Sequence, residues 1–222
     1  MELKSSFVKA KLRDFRPNDI ADMVTVLAQT WDFGNFADAR GQTACQLRYL
    51  LKNAHLATEA IVAEKDGVFL GYLFGRIPTR ALHPQHDFLE KSYVVAQKDW
   101  ETYATPQERQ QWETDWMWVQ KWYAEQYRSL GVIAQEASHM DLFMVAKQAR
   151  GLGVGTLLFS EFKRRHQASN SGKSVLLQTD TWCGWRFYEK NGFERLATCP
   201  VSESDFSDDR REQAYFVYGG KF

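Results

Sequence analysis

Apolar residues recur along this chain in two rhythms. Short alternating or continuous runs mark strands at Lys11–Phe15, Glu59–Glu64, Val68–Phe74, Ser174–Thr179 and Gln213–Tyr218. Lys65-Asp66-Gly67 joins the second run to the third, and Asp-Gly between alternating apolar runs predicts a hairpin. Spacings of three and four mark helices. Ile20, Met23, Val24 and Leu27 follow the start signal Pro17-Asn18-Asp19, and a second helical stretch covers roughly Gln42–Asn53. A third begins at Thr105-Pro106-Gln107-Glu108, a capping box with proline at the first helical position, and stops near Gly131. It sets Trp112, Trp116, Val119 and Tyr123 in one stripe, with Trp118 and Trp122 off it. Such an aromatic face either packs the helix onto the core or walls a pocket. The stretch from about 78 to 132 reads as an insertion, half loop and half helix.

The densest signal lies at Met140–Leu158. Asp141-Leu142-Phe143-Met144-Val145 is an apolar run rich in strand formers, and Arg150-Gly151-Leu152-Gly153-Val154-Gly155 is a glycine-punctuated turn. Thr156 leads into a helix whose Val154, Leu157, Leu158 and Phe162 share a face. Glycines at alternating positions let the backbone approach a ligand closely. The first N–H groups of the helix lack internal partners and stand at the positive end of its dipole. That place binds phosphate oxygens without a lysine. The segment reads as a pyrophosphate cradle.

Two common phosphate loops do not fit it. A triphosphate loop ends in Gly-Lys-Ser/Thr, whereas Gly155 precedes Thr156-Leu157. A dinucleotide turn needs a final Gly or Ala, and that position falls on Thr156 or Leu158, too bulky for close helix–strand packing. What remains is Arg150-x-x-Gly153-x-Gly155 after an apolar strand. Further on, Trp182–Lys190 reads as a short helix, and Asn191-Gly192-Phe193 closes it with a glycine suited to a left-handed stop. With this loop and the string Phe187-Tyr188-Glu189-Lys190-Asn191-Gly192-Phe193, the chain resembles the GNAT superfamily of acyl-CoA-dependent N-acyltransferases. Their pyrophosphate loop is Gln/Arg-x-x-Gly-x-Gly/Ala, and a second signature sets a tyrosine a few residues before Gly-Phe. The resemblance covers Leu12–Arg76 loosely, Ala137–Leu196 firmly, and the tail by position.

The resemblance implies an α/β (α+β) GNAT fold. Its central mixed, mostly antiparallel sheet has strands 4 and 5 splayed, helices flanking it, and a helical insertion between strands 3 and 4. It implies one acetyltransferase domain over residues 1–222, with the insertion at about 78–132. Acetyl-CoA is the implied acyl donor, with no metal. Its contacts would come from Phe143, Met144, Val145, Arg150, Gly151, Leu152, Gly153, Val154, Gly155 and Thr156. Thr181 stands where the family often has an asparagine on the pantetheine arm. The backbone N–H near Val145 would bind the thioester oxygen as charge develops. Tyr188 would protonate the leaving sulfur, a phenol of pKa about 10 serving a thiolate of about 8.5. The amine must shed a proton first. Asp141 and His139 share one face of the strand by alternation and are the candidate bases, with Asp180 and Glu136 as rivals.

Composition narrows the partners. The 28 basic and 28 acidic side chains cancel, which argues against nucleic acid as an obligate partner. The run Lys163-Arg164-Arg165 reads as a solvated helix end where cations suit the dipole, with a CoA 3′-phosphate as the second reading. Cys45, Cys183 and Cys199 lack metal-ligand spacing. Met1–Ser6 has no signal-peptide core and no apolar run reaches membrane length, so a cytoplasmic location without a membrane partner is expected. A small-molecule or peptide amine is the expected acceptor, and a homodimer stays open. The competing class is a non-catalytic acyl-CoA-binding sensor; a further one is an interaction protein docking through the Trp-rich helix.

Overall fold

The computed structural model describes residues 10–31, 33–169, 174–201 and 213–222. Met1–Ser6, expected to hold no leader, lies outside them. The strands are β1 (Lys11–Asp14), β2 (Glu59–Lys65), β3 (Val68–Arg76), β4 (Ser138–Val145), β5 (Val175–Asp180), β6 (Glu194–Pro200) and β7 (Ala214–Gly220). The helices are α1 (Ile20–Ala28), α2 (Ala39–Ala54), α3 (His86–Tyr103), α4 (Pro106–Leu130), α5 (Val132–Glu136), α6 (Val154–Ala168) and α7 (Arg186–Lys190). Hydrogen bonding orders the strands β1-β2-β3-β4-β5-β7-β6. β4 and β5 run parallel, while β1–β2, β2–β3, β5–β7 and β6–β7 pair antiparallel. The β4–β5 ladder covers Ser138↔Val175, His139↔Leu176 and Met140↔Leu177, short beside strands of 8 and 6 residues. This is the expected mixed, mostly antiparallel architecture, with α3, α4 and α5 inserted between β3 and β4. The described residues fall into two compact units, one within Met1–Gln110 and Asp141–Ser171, the other within Gln111–Met140 and Gly172–Phe222.

In the first unit, the β2–β3 hairpin turns at Asp66 and Gly67 with φ of 51° and 79°. Two successive positive φ values match the right-handed twist of the flanking strands, and Asp-Gly tolerates them. α2 begins at Ala39 rather than Gln42 because the Asp38 carboxylate accepts the Arg40 N–H at 2.8 Å. α3 occupies much of the stretch expected to be loop. Its buried Leu89, Ala96 and Trp100 form a stripe too sparse to stand out from the polar residues around it. α3 packs along α2, and a Cβ at Gly41 would stand 3.0 Å from the Tyr103 carbonyl oxygen. The capping box forms as expected: the Thr105 N–H donates to Glu108 at 2.7 Å, and the Glu108 N–H to Thr105 Oγ1 at 3.2 Å. α6 packs on β2 and β3 and buries Val154, Leu158, Phe159 and Phe162. Tyr72, Phe74, Leu27, Leu50, Ile61 and Trp100 are among the side chains sealed in this core. Each such burial contributes about 1.5–3 kcal/mol.

In the second unit, β7 pairs with β5 on one side and β6 on the other. β6 was not foreseen. It is an edge strand with Glu194, Arg195 and Leu196 exposed, and a register shift between Arg195 and Ala197 breaks its alternation. α7 is shorter than the expected Trp182–Lys190. Asp180 Oδ1 accepts the N–H groups of Trp182 and Cys183 at 2.9 Å each and holds 181–185 in turns. Gly192 has the expected left-handed φ of 83°, and the Phe193 N–H returns to the Tyr188 carbonyl. Val119 and Tyr123 of α4 bury against Tyr215 and Val217, with Trp116, Trp122 and Tyr127 packed around them. Tyr123 also donates its hydroxyl to the Thr179 carbonyl at 3.1 Å. That side of the Trp-rich helix packs a core.

Candidate active site

β4 alternates without a break. Ser138, Met140, Leu142 and Met144 are buried, while His139, Asp141, Phe143 and Val145 are half-buried on the other face. Met144 points inward, where its sulfur accepts the Tyr72 hydroxyl at 3.1 Å. Only its backbone is left to meet a ligand. β3 comes very close at this point: a Cβ at Gly71 would lie 2.5 Å from the Met144 carbonyl oxygen. The Ala146 N–H continues the approach by donating to the Leu70 carbonyl at 2.9 Å.

Beyond β4, a single 3-10 turn, Lys147–Ala149, carries the chain to Arg150. The Arg150 guanidinium reaches back to the Val145 carbonyl at 3.1 Å and across to Thr30 Oγ1 at 3.0 Å. It thus ties the strand end to the turn that follows α1. Gly151 and Gly153 both have positive φ, 73° and 85°, a region that costs any residue with a Cβ. Gly153 is the residue before α6, and its carbonyl already accepts the Leu157 N–H. Gly155 lies over Phe143 and Val145, where a Cβ would meet their side chains at 3.5 and 3.6 Å. Leu152 is half-buried, Val154 is core, and Thr156 is exposed on the first helical turn. This loop therefore presents backbone at the positive end of a 15-residue helix.

The other end of α6 corrects the simple reading of Lys163-Arg164-Arg165 as a solvated end. Arg164 and Arg165 both pair with Glu161, and Arg165 also reaches Glu59 and Asp14 at 3.0 Å each. Glu161 is held far below the usual carboxylate range, at about 2, chiefly by the Arg164 hydrogen bonds and also by Arg165.

The expected bases are engaged in different ways. Asp141 takes two hydrogen bonds from Arg76, a partner the sequence reading missed; a cation closing one strand opposite an acid in the next was the available signal. His139 Nε2 lies 3.2 Å from the Ala134 carbonyl, and its ring meets the Tyr127 ring edge-on at 5.5 Å.

In the second unit, Tyr188 stands half-buried on α7, its ring edge-on to Phe193 at 5.8 Å and tilted against Tyr218 at 6.1 Å. Burial, and then the charges of Cys183 and Asp180, push its phenol well above the ordinary tyrosine value. Burial likewise pushes up the Asp180 carboxyl, against the pull of the Cys183 and Trp182 hydrogen bonds. Thr181 accepts the Ala214 N–H on Oγ1 at 3.2 Å, and its own N–H returns to the Ala214 carbonyl. Its side chain joins β5 to the start of β7.

A strand ending in a left-handed glycine turn at a helix start, within this strand order, defines a mixed α/β protein whose helix N-terminus lies at the end of a central strand. A family model of the acetyltransferase (GNAT) domain matches residues 85–205. The chain belongs to the GNAT acetyltransferase family. Solved structures agree on the fold. Ard1 from Thermoplasma volcanium is similar at 18% identity and TM-score 0.52, over 96% of this chain and 98% of that one. A GNAT-family acetyltransferase from Streptococcus pneumoniae is similar at 13% identity and TM-score 0.51, over 96% and 100%. The ribosomal-protein-alanine N-acetyltransferase from Brucella melitensis is similar at 12% identity and TM-score 0.50, over 96% and 99%. No curated protein matches the chain. Among the described residues, no helix is long and apolar enough to cross a membrane, and no group of three or more His, Cys, Asp or Glu is placed to hold a metal ion.

Proposed function

We propose that this protein moves an acetyl group from acetyl-CoA to a primary amine of a small molecule or peptide by direct attack, acting in the cytoplasm. Residues 1–222 are read as one acetyltransferase domain with 78–132 inserted. The observation that carries the proposal is Gly153, left-handed at the start of α6, just after an Arg150 side chain anchored on both Val145 and Thr30. The pyrophosphate of CoA fits such a cradle by its charge and by the lack of any Cβ at Gly151 and Gly153. Leu152, Val154, Gly155 and Thr156 would supply the amides of the loop and first turn. Phe143, Met144 and Val145 would flank the pantetheine arm, Met144 through its backbone, and the Val145 N–H would stabilise the developing oxyanion. Thr181 keeps a place in this set only with its hydroxyl shared with Ala214.

Tyr188 is the proposed acid. A phenol pushed up by burial stays protonated at every physiological pH, as a donor to a nascent thiolate must. The amine, with pKa about 10.4 if it resembles lysine, needs a base, and Asp141 or His139, acting through water, is proposed for that step. Titration calorimetry with CoA tests the cradle: the wild type gives a binding isotherm and Gly153→Asp abolishes it. A screen of primary amines for CoA thiol release tests the transfer. CoA binding with no thiol released from acetyl-CoA by any amine would replace the enzyme with an acyl-CoA sensor.

A further inference from the structure

In the second unit, a carboxylate sits at the foot of a group of aromatic rings. Tyr215 of β7 is 9% exposed, and two tryptophans pack on it: Trp118 of α4 at 5.4 Å and 77°, and Trp182 at 5.6 Å and 52°. Both tryptophans remain open to solvent, 39% and 46% exposed. Asp180 lies beside this group: it stands opposite Tyr215 in the β5–β7 ladder, and its Oδ1 accepts the backbone N–H of Trp182. It is half-buried rather than sealed. Its charge bears on the phenols of both Tyr215 and Tyr188, so the aromatic group and the proposed acid share one carboxylate.

We infer that Asp180, Trp118, Trp182 and Tyr215 form a subsite for an organic cation, an ammonium or guanidinium group that the acceptor carries besides the amine it presents for acylation. The inference rests on the acetyl-transfer reading for its purpose and names the substrate class, a di- or polycationic amine.

Two physical facts favour a cation over a purely apolar partner. Aromatic faces attract cations electrostatically, a gain of roughly two- to thirty-fold in affinity per good contact. Asp180 is a carboxylate that burial has pushed toward its neutral form, and a bound cation offsets that desolvation. The same unit already uses this chemistry internally: the Arg195 guanidinium lies 4.1 Å from the centre of Phe216 and 4.9 Å from that of Trp185. Binding would also bear on the reaction. The negative charge of Asp180 helps raise the Tyr188 phenol, so a cation beside that carboxylate makes Tyr188 a better proton donor when the acceptor is in place.

Choline and its neutral carbon isostere, 3,3-dimethylbutan-1-ol, test this on the whole protein, because neither offers an amine to acylate. Binding is followed by tryptophan fluorescence and by competition with an amine acceptor in the thiol-release assay. Choline should bind at least about ten-fold more tightly than the alcohol. Trp182→Ala and Asp180→Asn should each weaken choline by about five-fold or more, while Trp182→Phe, which keeps a ring face, retains most of the affinity. Circular dichroism and CoA calorimetry on the same samples should be unchanged in the Trp182 variants. Equal binding of choline and the alcohol would make the patch an apolar docking face and overturn the inference, as would choline binding indifferent to Trp182→Ala. Absence of CoA binding in the wild type would instead remove the acetyl-transfer reading.

Discussion

Arg76 and Asp141 close a two-bonded ion pair, Nε to Oδ2 at 2.8 Å and Nη2 to Oδ1 at 2.7 Å, between the end of β3 and the middle of β4. Both carboxylate oxygens are engaged, and Asp141 is only 13% exposed. A planar guanidinium fork orients such a carboxylate as well as pairing with it. The pair therefore fixes the half-buried face of β4 that also carries His139, Phe143 and Val145.

Asp141→Ala and Arg76→Ala should each destabilise the fold by about 1 kcal/mol, since the Arg76 side chain is 41% exposed and solvent screens the pair, and the double variant should cost less than the sum. Chemical denaturation measures this. The pH profile of kcat/KM separates structure from chemistry. The acidic limb should shift in either Asp141→Ala or His139→Ala, and an unaltered profile in both would remove this face of β4 from proton transfer.

Gly71→Ala should strain the same region from behind. Its Cβ would stand 2.5 Å from the Met144 carbonyl oxygen, a backbone atom that cannot swing aside. Overpacking of this kind costs about 1–3 kcal/mol, and a lowered Tm with weakened CoA binding is the expected result. A variant as stable as the wild type would show that β3 and β4 are not in this contact.

Tyr188→Phe should lower kcat by about a hundred-fold or more while leaving the CoA dissociation constant unaltered. Burial also raises the phenols of Tyr72, Tyr188 and Tyr215, the last to about 12. Folded values above the unfolded value of about 10 mean that their contribution to stability is complete below pH about 10 and is lost as pH rises through the folded values. Urea midpoints between pH 8 and 11 should hold steady and then fall, and Tyr188→Phe should soften the fall.

Glu161 has the opposite sign. Its pKa of about 2 lies below that of an unfolded glutamate, so its stabilisation is present above about pH 4.5 and lost as pH falls through 2. Glu161→Gln should cost about 1–2 kcal/mol at neutral pH, discounted because Arg164 is largely exposed, and converge with the wild type near pH 2. A cost that persists unchanged in acid would show that packing, not the ion pairs, is what the glutamate supplies.

The residues legible beforehand share one property: their conformation is decided within a few positions along the chain. Asp66-Gly67, Thr105 with Glu108, Gly153 and Gly192 each satisfy a local backbone demand, so the hairpin turn, the cap, the glycine turn before α6 and the helix stop were all readable. β6 and α3 were not: β6 buries none of its residues and a register shift breaks its alternation, while α3 buries only Leu89, Ala96 and Trp100, against a helix far off in sequence.

By itself, then, the amino-acid order determined the family, the strand–glycine–helix turn and the capped start of α4, since φ preferences and helix-capping hydrogen bonds act at short range. Only the tertiary structure decided which side chains answer one another. Arg76 meets Asp141 across 65 positions, Arg150 meets Thr30 across 120, and Tyr215 gathers Trp118 and Trp182. Charges and rings attract whatever folding brings near, and no spacing along the chain encodes that proximity.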